Sequence, residues 1–506
     1  MTEFIRDPDT PLLTLNNTDK FTVRDSWNGV HVFGAIGSGK SSGAGRAIAG
    51  AYLRAGYGGL VLTAKPEEVE LWREYCRQHG READLIIFDR TRHFNFLSYE
   101  FARKGAEGAN SATDTLMKVL RAADLAAGQG GGKDGEAIWI KTTREMILNA
   151  ITVLYSANGV VTVEAILRFI LTVPTKTPTP EEATQPTTNY ALTRLALCRN
   201  KPTCPLPAHS LKRVGNYWFN QFVTMPEKMR GSVIASVCAE LNRFTDGILR
   251  ECFTTTTDIV PEMVFNGSII VMGFPSLTYQ EEGTVAQGLF KLIFQRCVES
   301  RNGLAKEFQE RPLFLYADEA QYFVSQYDDS FLSTCRGSKC AVVYLTQSLP
   351  TYIAQLGKEK SDAVDGFVGK FTTKIFHLNA CPRTNQYASS LIGKGIKQRV
   401  THTTSTTTGS QKSGGGSGGY TNTHGMGTSL NSQHGWNYSD GSSEGVNRQE
   451  IIEDLLQANY FATALRTGAR IHNYLVTGVL FKAGGNFSEP MPETNSNVLL
   501  VTFSQR

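Results

Sequence analysis

The stretch GAIGSGKS, Gly34 to Ser41, decides how the chain is expected to fold. It follows a mostly apolar run, Val30–Phe33, and precedes a segment of small residues, Ser42–Ala55, which ends at Gly56. This order predicts a strand, a glycine-rich turn and a helix whose C-cap is Gly56. Consecutive backbone N–H groups in such a turn point at phosphate oxygens, aided by the positive end of the following helix. The stretch therefore predicts a P-loop that binds nucleotide phosphates; a chance Gly/Ser surface loop with a lysine is the alternative.

Two side chains of this loop have a specific expected contact. Lys40 is expected to reach the β- and γ-phosphates, and the hydroxyl of Ser41 to hold Mg²⁺. The nucleotide-binding residues predicted from the pattern are Gly34, Ala35, Ile36, Gly37, Ser38, Gly39, Lys40, Ser41 and Ser42.

An acidic element that suits a P-loop lies late in the chain. The apolar run Leu313–Tyr316 is followed by Ala317, Asp318 and Glu319. In the usual arrangement the first acid orients Mg²⁺ and the second polarises the attacking water. Adjacent acids after a buried strand also occur as charges at a helix N-terminus, which is the alternative here. The long separation from the P-loop predicts a large insertion.

Two polar residues follow the acidic pair at suggestive positions. AVVYLTQS, Ala341–Ser348, is predicted to form a strand parallel to the one that carries Asp318. Gln347 at its end is expected near the γ-phosphate, where it would report whether that phosphate is present. Arg336 lies between the two strands in the polar segment STCRGSKC, and an ordinary surface arginine is its alternative interpretation.

These motifs, in this order, resemble the FtsK/HerA superfamily of DNA-pumping ATPases and, within it, the coupling proteins of conjugative type IV secretion systems. Further segments carry the resemblance, and it is spread from about Trp27 to Phe487. They are LYADEAQ (Leu315–Gln321), FNFL (Phe94–Leu97), SIIVMGFP (Ser268–Pro275), TTKIFHLNA (Thr372–Ala380) and NQYASSLIGK (Asn385–Lys394).

The resemblance implies an ATP hydrolase that uses ATP and Mg²⁺. It implies Lys40 on the phosphates, Ser41 and Asp318 on the metal, and Glu319 as the general base. Gln347 matches the sensor, and Arg336 matches an arginine finger that acts on the nucleotide of a neighbouring subunit. The implied assembly is a homo-oligomeric ring, expected to be a hexamer, that translocates DNA without sequence specificity, with a relaxase or secretion-channel proteins as possible partners.

Two departures from the family pattern stand out. Conjugative members usually begin with transmembrane helices, whereas the opening segment here is rich in charge and proline, so we expect no membrane-spanning segment. We therefore expect a cytoplasmic protein, either free or held peripherally at the inner face of the membrane by partners. Thr63 and Ala64 stand where the family often has an acidic residue, in the strand that leads to Lys65.

Two other functions stay open at this stage. One is a soluble helicase-like or defence ATPase that remodels DNA, which the missing anchor favours. The other is a nucleotide-switched adaptor that recruits substrate proteins, against which an intact Glu319 argues.

The composition fits a large intracellular protein. The chain has 506 residues, 41% of them hydrophobic, which suffices for two or three domains. Its nine cysteines lack tight pairs and predict neither a secreted disulfide framework nor a zinc site. A net charge of +4 neither proves nor excludes nucleic-acid binding, because a basic pore lining can be hidden in a near-neutral total.

The alternation of predicted strands and helices indicates an α/β P-loop NTPase of RecA-like fold, with a mostly parallel sheet, helices on both faces and an inserted all-helical domain. The predicted divisions are an N-terminal extension (1–21), the first part of the ATPase domain (22–106), the helical insertion (107–262), the second part of the ATPase domain (263–400), a flexible Ser/Thr/Gly-rich loop (401–445) and the C-terminal end of the ATPase domain (446–506).

The Ser/Thr/Gly-rich segment has hardly any aliphatic side chains, so we expect it to be flexible, or an extended hairpin at best. After it, Arg448–Leu456 is predicted to be a helix and Tyr474–Phe481 an edge strand that closes the sheet.

One segment combines basic and aromatic residues in a way that suits a DNA backbone. SLKRVGNYWFNQF, Ser210–Phe222, carries Lys212 and Arg213 beside Tyr217, Trp218 and Phe219. An amphipathic helix whose aromatic side chains pack inside the helical insertion is the favoured interpretation.

Overall fold

The computed structural model describes residues 3–126, 135–176, 188–357, 360–414 and 434–506. The chain divides into two compact units, one formed by Met1–Ala388 with Gln457–Arg506 and the other by Ser389–Leu456.

The larger unit is built on a mixed sheet to which, within the described ranges, nine strands contribute. In chain order they are β3 (Val30–Phe33), β4 (Gly58–Leu62), β5 (Leu85–Phe88), β6 (Ile269–Met272), β7 (Leu313–Ala317), β8 (Cys340–Thr346), β9 (Thr373–Phe376), β12 (Leu475–Lys482) and β13 (Val498–Ser504). Their order across the sheet is β13-β12-β9-β3-β8-β7-β4-β6-β5. The strands from β9 to β5 are parallel, whereas β12 and β13 are antiparallel to their neighbours. A small hairpin, β1 (Pro11–Thr14) and β2 (Lys20–Thr22), precedes them.

The central strands are continuous apolar runs because helices cover both faces of a parallel sheet. Every residue of β3, β4, β6, β7 and β8 is buried. On one face Trp72 stacks on Phe314, with 5.7 Å between ring centroids, and meets Tyr316 edge-on. The predicted α/β fold with a mostly parallel sheet is confirmed.

The helices fall into two sets. Those that alternate with the strands are Arg46–Arg54, Pro66–Gln78, Ser276–Ser300, Lys306–Glu310, Gln326–Thr334, Leu349–Leu356, Ser361–Gly369 and Pro382–Ile392. Those between β5 and β6 are Phe96–Lys104, Gly108–Ala126, Gly135–Asn158, Val163–Thr172, Tyr190–Asn200, Ala208–Asn216, Phe222–Thr224, Glu227–Asn242 and Gly247–Phe253. Short helices occur at Val23–Ser26 and Tyr460–Thr463. The domain boundaries drawn through these elements from the sequence stay predictions.

The aromatic segment Ser210–Phe222 packs inside the helical region. Tyr217, Trp218 and Phe222 are buried, and the Trp218 ring lies 5.0 Å from that of Phe169. Only Phe219 of these aromatic residues is exposed, at 36%. The packing interpretation is confirmed for Tyr217, Trp218 and Phe222, whose buried rings are not available for stacking on bases.

Among the described residues, no single helix has both the length and the apolar composition to cross a membrane; Ile140–Asn158 and Val163–Thr172 pass this test only as a pair, which is bent by 109°.

One sequence prediction about the late part of the larger unit needs correction. Residues 474–481 were expected to form an edge strand, but β12 lies between β9 and β13, so β13 is the edge. The reason is that Val498–Ser504 adds a further antiparallel strand whose outward side chains, such as Leu500, are exposed. The nine cysteines are free thiols, as expected.

The smaller unit contains a long hairpin. Strand β10 (Lys394–Gly414) pairs antiparallel with β11 (His434–Asp454), from Lys394 opposite Asp454 to Gly414 opposite His434. The helix predicted over Arg448–Leu456 is wrong, because residues 448–454 satisfy their backbone groups in the ladder with β10, and this pairing overrides local helix propensity. The extended-hairpin interpretation holds for 401–414 and 434–445, while 415–433 lie outside the described residues.

Candidate nucleotide-binding site

The carboxyl ends of four neighbouring parallel strands bring three of the predicted site residues together with Lys65. Lys40 follows β3, Gln347 follows β8, Glu319 follows β7 and Lys65 follows β4. These strands lie side by side in the order β3-β8-β7-β4. Because parallel strands end at one edge of a sheet, the four side chains face one region, and this edge is where α/β sheets bind ligands.

Backbone hydrogen bonds fix the start of the P-loop where it leaves β3. The N–H of Gly34 donates to the carbonyl of Thr346 (3.2 Å), and that of Ala35 donates to the carbonyl of Leu378 (2.9 Å). Gly37 (φ 73°) and Gly39 (φ 83°) take left-handed conformations that favour glycine. The following helix opens with a wide π-type turn, Ser41–Gly45, before the regular helix begins. The loop therefore has the conformation of an anion-binding turn at a helix start.

Close packing also requires glycine in this loop. A Cβ at Gly39 would lie 2.6 Å from Cγ2 of Val476 on β12, and one at Gly45 would lie 2.6 Å from the hydroxyl of Tyr316 on β7. The loop and the first turn of its helix are thus pressed between the strand of the acidic pair and the late strand β12.

Lys40 and Glu319 form a buried ion pair. Lys40 Nζ lies 3.0 Å from Glu319 Oε1, and the two side chains are only 7% and 3% exposed. A second ammonium, that of Lys65, lies 3.8 Å from the same carboxylate oxygen. Two cations therefore share Glu319 Oε1.

Two amides occupy the other oxygen of this carboxylate. Gln321 Nε2 donates to Glu319 Oε2 over 2.9 Å, and Gln347 Nε2 donates to it over 3.2 Å. Gln321 is itself held by Thr346, whose hydroxyl donates to its carbonyl oxygen over 2.8 Å. Both oxygens of Glu319 are engaged, and the residue sits in the left-handed region with φ 49°.

The charge of Glu319 is set by these contacts. Burial alone would raise its pKa, but Lys40, Gln321 and Lys65 lower it, and the pKa ends below its usual value. The carboxylate is therefore ionised at neutral pH, as a general base must be.

Asp318 lies beside a second buried carboxyl group. Its Oδ1 accepts the N–H of Glu319 (2.9 Å), and its side chain is buried. Burial, and then the nearby charge of Asp318, raise the pKa of Glu68 to about 8. Glu68 Oε2 accepts the N–H of Ala64 (2.8 Å), which fixes it at the start of the helix Pro66–Gln78. A carboxylate and a serine hydroxyl are hard oxygen ligands, so Asp318 and Ser41 fit Mg²⁺, which takes few protein ligands alongside phosphate oxygens.

Gln347 is fixed from behind by the strand on the far side of β3. Asn379 follows β9, and its side-chain amide donates to the carbonyl of Gln347 over 2.7 Å. Asn385, in the helix Pro382–Ile392, donates in turn to the carbonyl of Asn379 over 2.7 Å. The amide that contacts Glu319 is thus held by the loops after β8 and β9.

The predicted phosphate-binding residues do not all face this cluster. The hydroxyl of Ser42 accepts a hydrogen bond from Gln505 (2.7 Å), just beyond β13, so this side chain is turned to the late strands. Ile36 lies at the tip of the loop and is 82% exposed. Ser38 is buried, and its hydroxyl has no partner among the described residues.

Arg336 lies away from the cluster in the same chain. It is exposed in the turn that precedes β8, whereas Gln347 follows β8. A strand of seven residues places the two ends about 20 Å apart. The buried Arg301 contacts this turn by donating to the carbonyl of Ser338 (3.0 Å). Arg336 therefore does not reach the Glu319 of its own chain.

Two contacts of Glu319 were not assigned from the sequence. Gln321 lies two residues after it in DEAQ, a signal that was visible locally. Lys65 is 254 residues away in sequence. Only the pairing of β4 with β7 brings it to the site, so no local pattern could have found it.

Comparison with known proteins agrees with this fold. Residues 312–453 match the family model described as the TraM recognition site of TraD and TraG. The bacterial conjugative coupling protein TrwBdeltaN70, in an unbound form, superposes with a TM-score of 0.56 at 13% sequence identity, over 100% of this chain and 89% of that one. The chain has the fold of a conjugative coupling protein. Its predicted resemblance to these proteins is confirmed for the fold and for that region.

Two nucleotide complexes of the same relative have the same fold. TrwB with ADP and Mg²⁺ superposes with a TM-score of 0.55 at 13% identity, covering 100% of this chain and 90% of that one. TrwB with the ATP analogue ADPNP superposes with a TM-score of 0.54 at 14% identity, covering 99% and 91%. No curated protein matches the chain significantly.

Proposed function

We propose that the chain is a coupling-protein-like ATPase that works as a ring, expected to be a hexamer, and drives DNA or DNA-bound protein through a central channel. The observation that carries this proposal is the Glu319 carboxylate, held between Lys40, Lys65 and two amides at the carboxyl ends of β3, β8, β7 and β4. This arrangement combines a phosphate-binding lysine with an ionised base.

The ligands are assigned to residues of the site as follows. Lys40 and the P-loop N–H groups bind the phosphates of ATP, and Ser41 with Asp318 holds Mg²⁺, which neutralises phosphate charge. The TrwB complexes named for ADP with Mg²⁺ and for an ATP analogue support this choice of ligand.

Binding and turnover require a rearrangement of the present contacts. Lys40 must leave Glu319 to reach the phosphates, and its departure opens a lone pair of Glu319 Oε1 that can accept a proton from the attacking water. Gln347 stays on Oε2 and connects the presence of the γ-phosphate to the loops after β8 and β9.

The position of Arg336 supports a ring. An arginine about 20 Å from the base of its own chain serves catalysis only if it reaches the nucleotide of a neighbouring subunit, where it stabilises transition-state charge. The match of residues 312–453 to a TraM recognition site supports a relaxosome-type protein partner in addition to DNA.

The test is the steady-state rate of ATP hydrolysis, measured with and without single- and double-stranded DNA across a range of protein concentrations. A DNA-stimulated rate that rises cooperatively with protein concentration is expected. Glu319→Gln is the matched control, because its expected loss of hydrolysis shows that the measured rate comes from this site. A rate indifferent to DNA would favour the nucleotide-switched adaptor, and activity stimulated by DNA in a monomer would overturn the ring.

A further inference from the structure

Lys65 is a half-exposed lysine that shares an oxygen with the P-loop lysine. Its Nζ lies 3.8 Å from Glu319 Oε1 and its side chain is 40% exposed, whereas Lys40 Nζ lies 3.0 Å from the same atom and is buried. Its backbone is extended and caps the N-terminus of the helix Pro66–Gln78 directly after β4. The backbone of Lys65 is therefore held in place, while its ammonium group has room to move.

Nucleotide binding would leave the buried charge of Glu319 without its nearest cationic partner. Under the proposed function Lys40 turns from Glu319 to the phosphates, although the Glu319 side chain is only 3% exposed. A buried carboxylate that loses its cation is strongly unfavourable, since its desolvation is no longer compensated. Gln321 and Gln347 contact only the other oxygen. Some cation must approach Oε1 if the charge is to be kept.

We propose that Lys65 takes over the charge of Glu319 when Lys40 turns to the nucleotide phosphates. Lys65 is then a positioning residue that acts through Glu319 and does not touch the nucleotide. The inference rests on the proposed function, because it requires Lys40 to bind phosphate. The inference adds one step to the proposed function: as nucleotide binds, the Glu319 carboxylate exchanges Lys40 for Lys65 as its cationic partner.

The nucleotide affinity of four proteins tests this exchange: wild type, Lys65→Met, Glu319→Gln and the double variant. The readout is equilibrium binding of a fluorescent ATP analogue with Mg²⁺, which does not depend on hydrolysis. Lys65→Met is expected to weaken binding by about five- to tenfold in the wild-type background, because Glu319 would then compete for Lys40. In the Glu319→Gln background the same substitution is expected to change nothing, because no charge remains to be held.

Two controls accompany the cycle. Lys65→Arg is expected to restore most of the affinity, because it keeps the positive charge at the same position. Lys306→Met removes an exposed lysine from the helix before β7 and is expected to leave binding unchanged. Lys65→Gln is a second neutral variant for use if Lys65→Met has a lowered unfolding midpoint.

The other outcomes each overturn the proposal. Equal weakening in both backgrounds would show that Lys65 contacts the nucleotide itself. No weakening in either background would show that Lys65 is an ordinary surface lysine. If the wild-type protein binds no nucleotide, the proposed function fails and the exchange fails with it, whereas wild-type binding with an unaltered Lys65→Met variant refutes the exchange alone.

Discussion

The ammonium of Lys40 and the carboxylate of Glu319 form a 3.0 Å ion pair, almost wholly removed from solvent, between the P-loop and the end of β7. The two residues assigned to phosphate binding and to water activation thus neutralise each other in this arrangement. In this arrangement Lys40 is not available to a nucleotide phosphate until that competing anion draws it away from Glu319.

Lys40→Ala is expected to abolish nucleotide binding and to destabilise the free protein, because the more distant Lys65 is then the nearest cation to Glu319. Breaking a buried pair costs about 3–5 kcal/mol, and we expect the loss to lie at the lower end of that range. Urea unfolding measures the stability and titration with a fluorescent nucleotide measures the binding. Retained affinity in this variant would remove Lys40 from the phosphate site.

Glu319→Gln is expected to keep nucleotide binding and to lose hydrolysis by about 100-fold or more, since an amide cannot accept the proton of the attacking water. Because Lys40 is freed from its carboxylate partner, nucleotide affinity should rise. Comparing affinity with turnover number distinguishes the two effects. Hydrolysis at the wild-type rate would mean that another residue is the base.

Arg336→Ala is expected to inhibit ATP hydrolysis when the variant is mixed with the wild-type protein. If the arginine completes the site of the next subunit and turnover passes from site to site around the ring, one variant subunit stops the whole ring, and activity falls faster than the wild-type fraction. Titrating the variant into the wild-type protein and measuring ATP hydrolysis tests this. A linear decrease would mean that each variant subunit costs only one active site, and unchanged activity would return Arg336 to the status of a surface residue.

Lys291→Met is expected to lower the free energy of unfolding by about 3–5 kcal/mol. Lys291 Nζ lies 2.6 Å from Asp328 Oδ2, and both side chains are 1% exposed. Asp328 also accepts hydrogen bonds from Gln295 and Tyr344, which join the helix Ser276–Ser300 to β8. Urea unfolding checks the value, and adding Asp328→Asn should recover part of the loss because the unpaired charge is removed.

Acid is expected to destabilise the protein partly through His377. Burial, opposed by the hydrogen bond to Thr477 and reinforced by Lys40, lowers the pKa of His377 from 6.5 to about 4. Because the unfolded chain then binds the proton first, stability present above pH 6.5 is lost as the pH falls towards 4. Glutamine at this position should reduce the loss of unfolding free energy between pH 7 and 5 by about 2 kcal/mol. An unchanged loss in His377→Gln would exclude the histidine as its source.

The local part of the fold could be predicted because its signals are local. The strands before Lys40, Glu319 and Gln347 are short apolar runs closed by glycine or polar residues, and parallel pairing implies that their ends meet. The chemical roles of these residues stay predictions until the variants above are measured.

Long-range pairing explains what could not be predicted. Arg448–Asp454 contains good helix formers, yet its partner strand begins at Lys394, and no short window contains both. The edge position of Val498–Ser504 could not be predicted for a similar reason, because only its pairing with β12 shows that β12 is an internal strand. Lys65 reaches Glu319 only through the β4–β7 ladder.

The contact of the P-loop with the last strands has a consequence for biosynthesis. Gly39 packs against Val476, and Ser42 accepts a hydrogen bond from Gln505. A ribosome makes residues 34–41 at least 435 residues before their packing partners Val476 and Gln505. At ordinary elongation rates of about 5–20 residues per second, the nascent loop waits for tens of seconds without its supports. We therefore expect nascent chains that stop before β12 to leave the loop unformed, so that the earliest motif of the sequence is among the last parts of the molecule to fold.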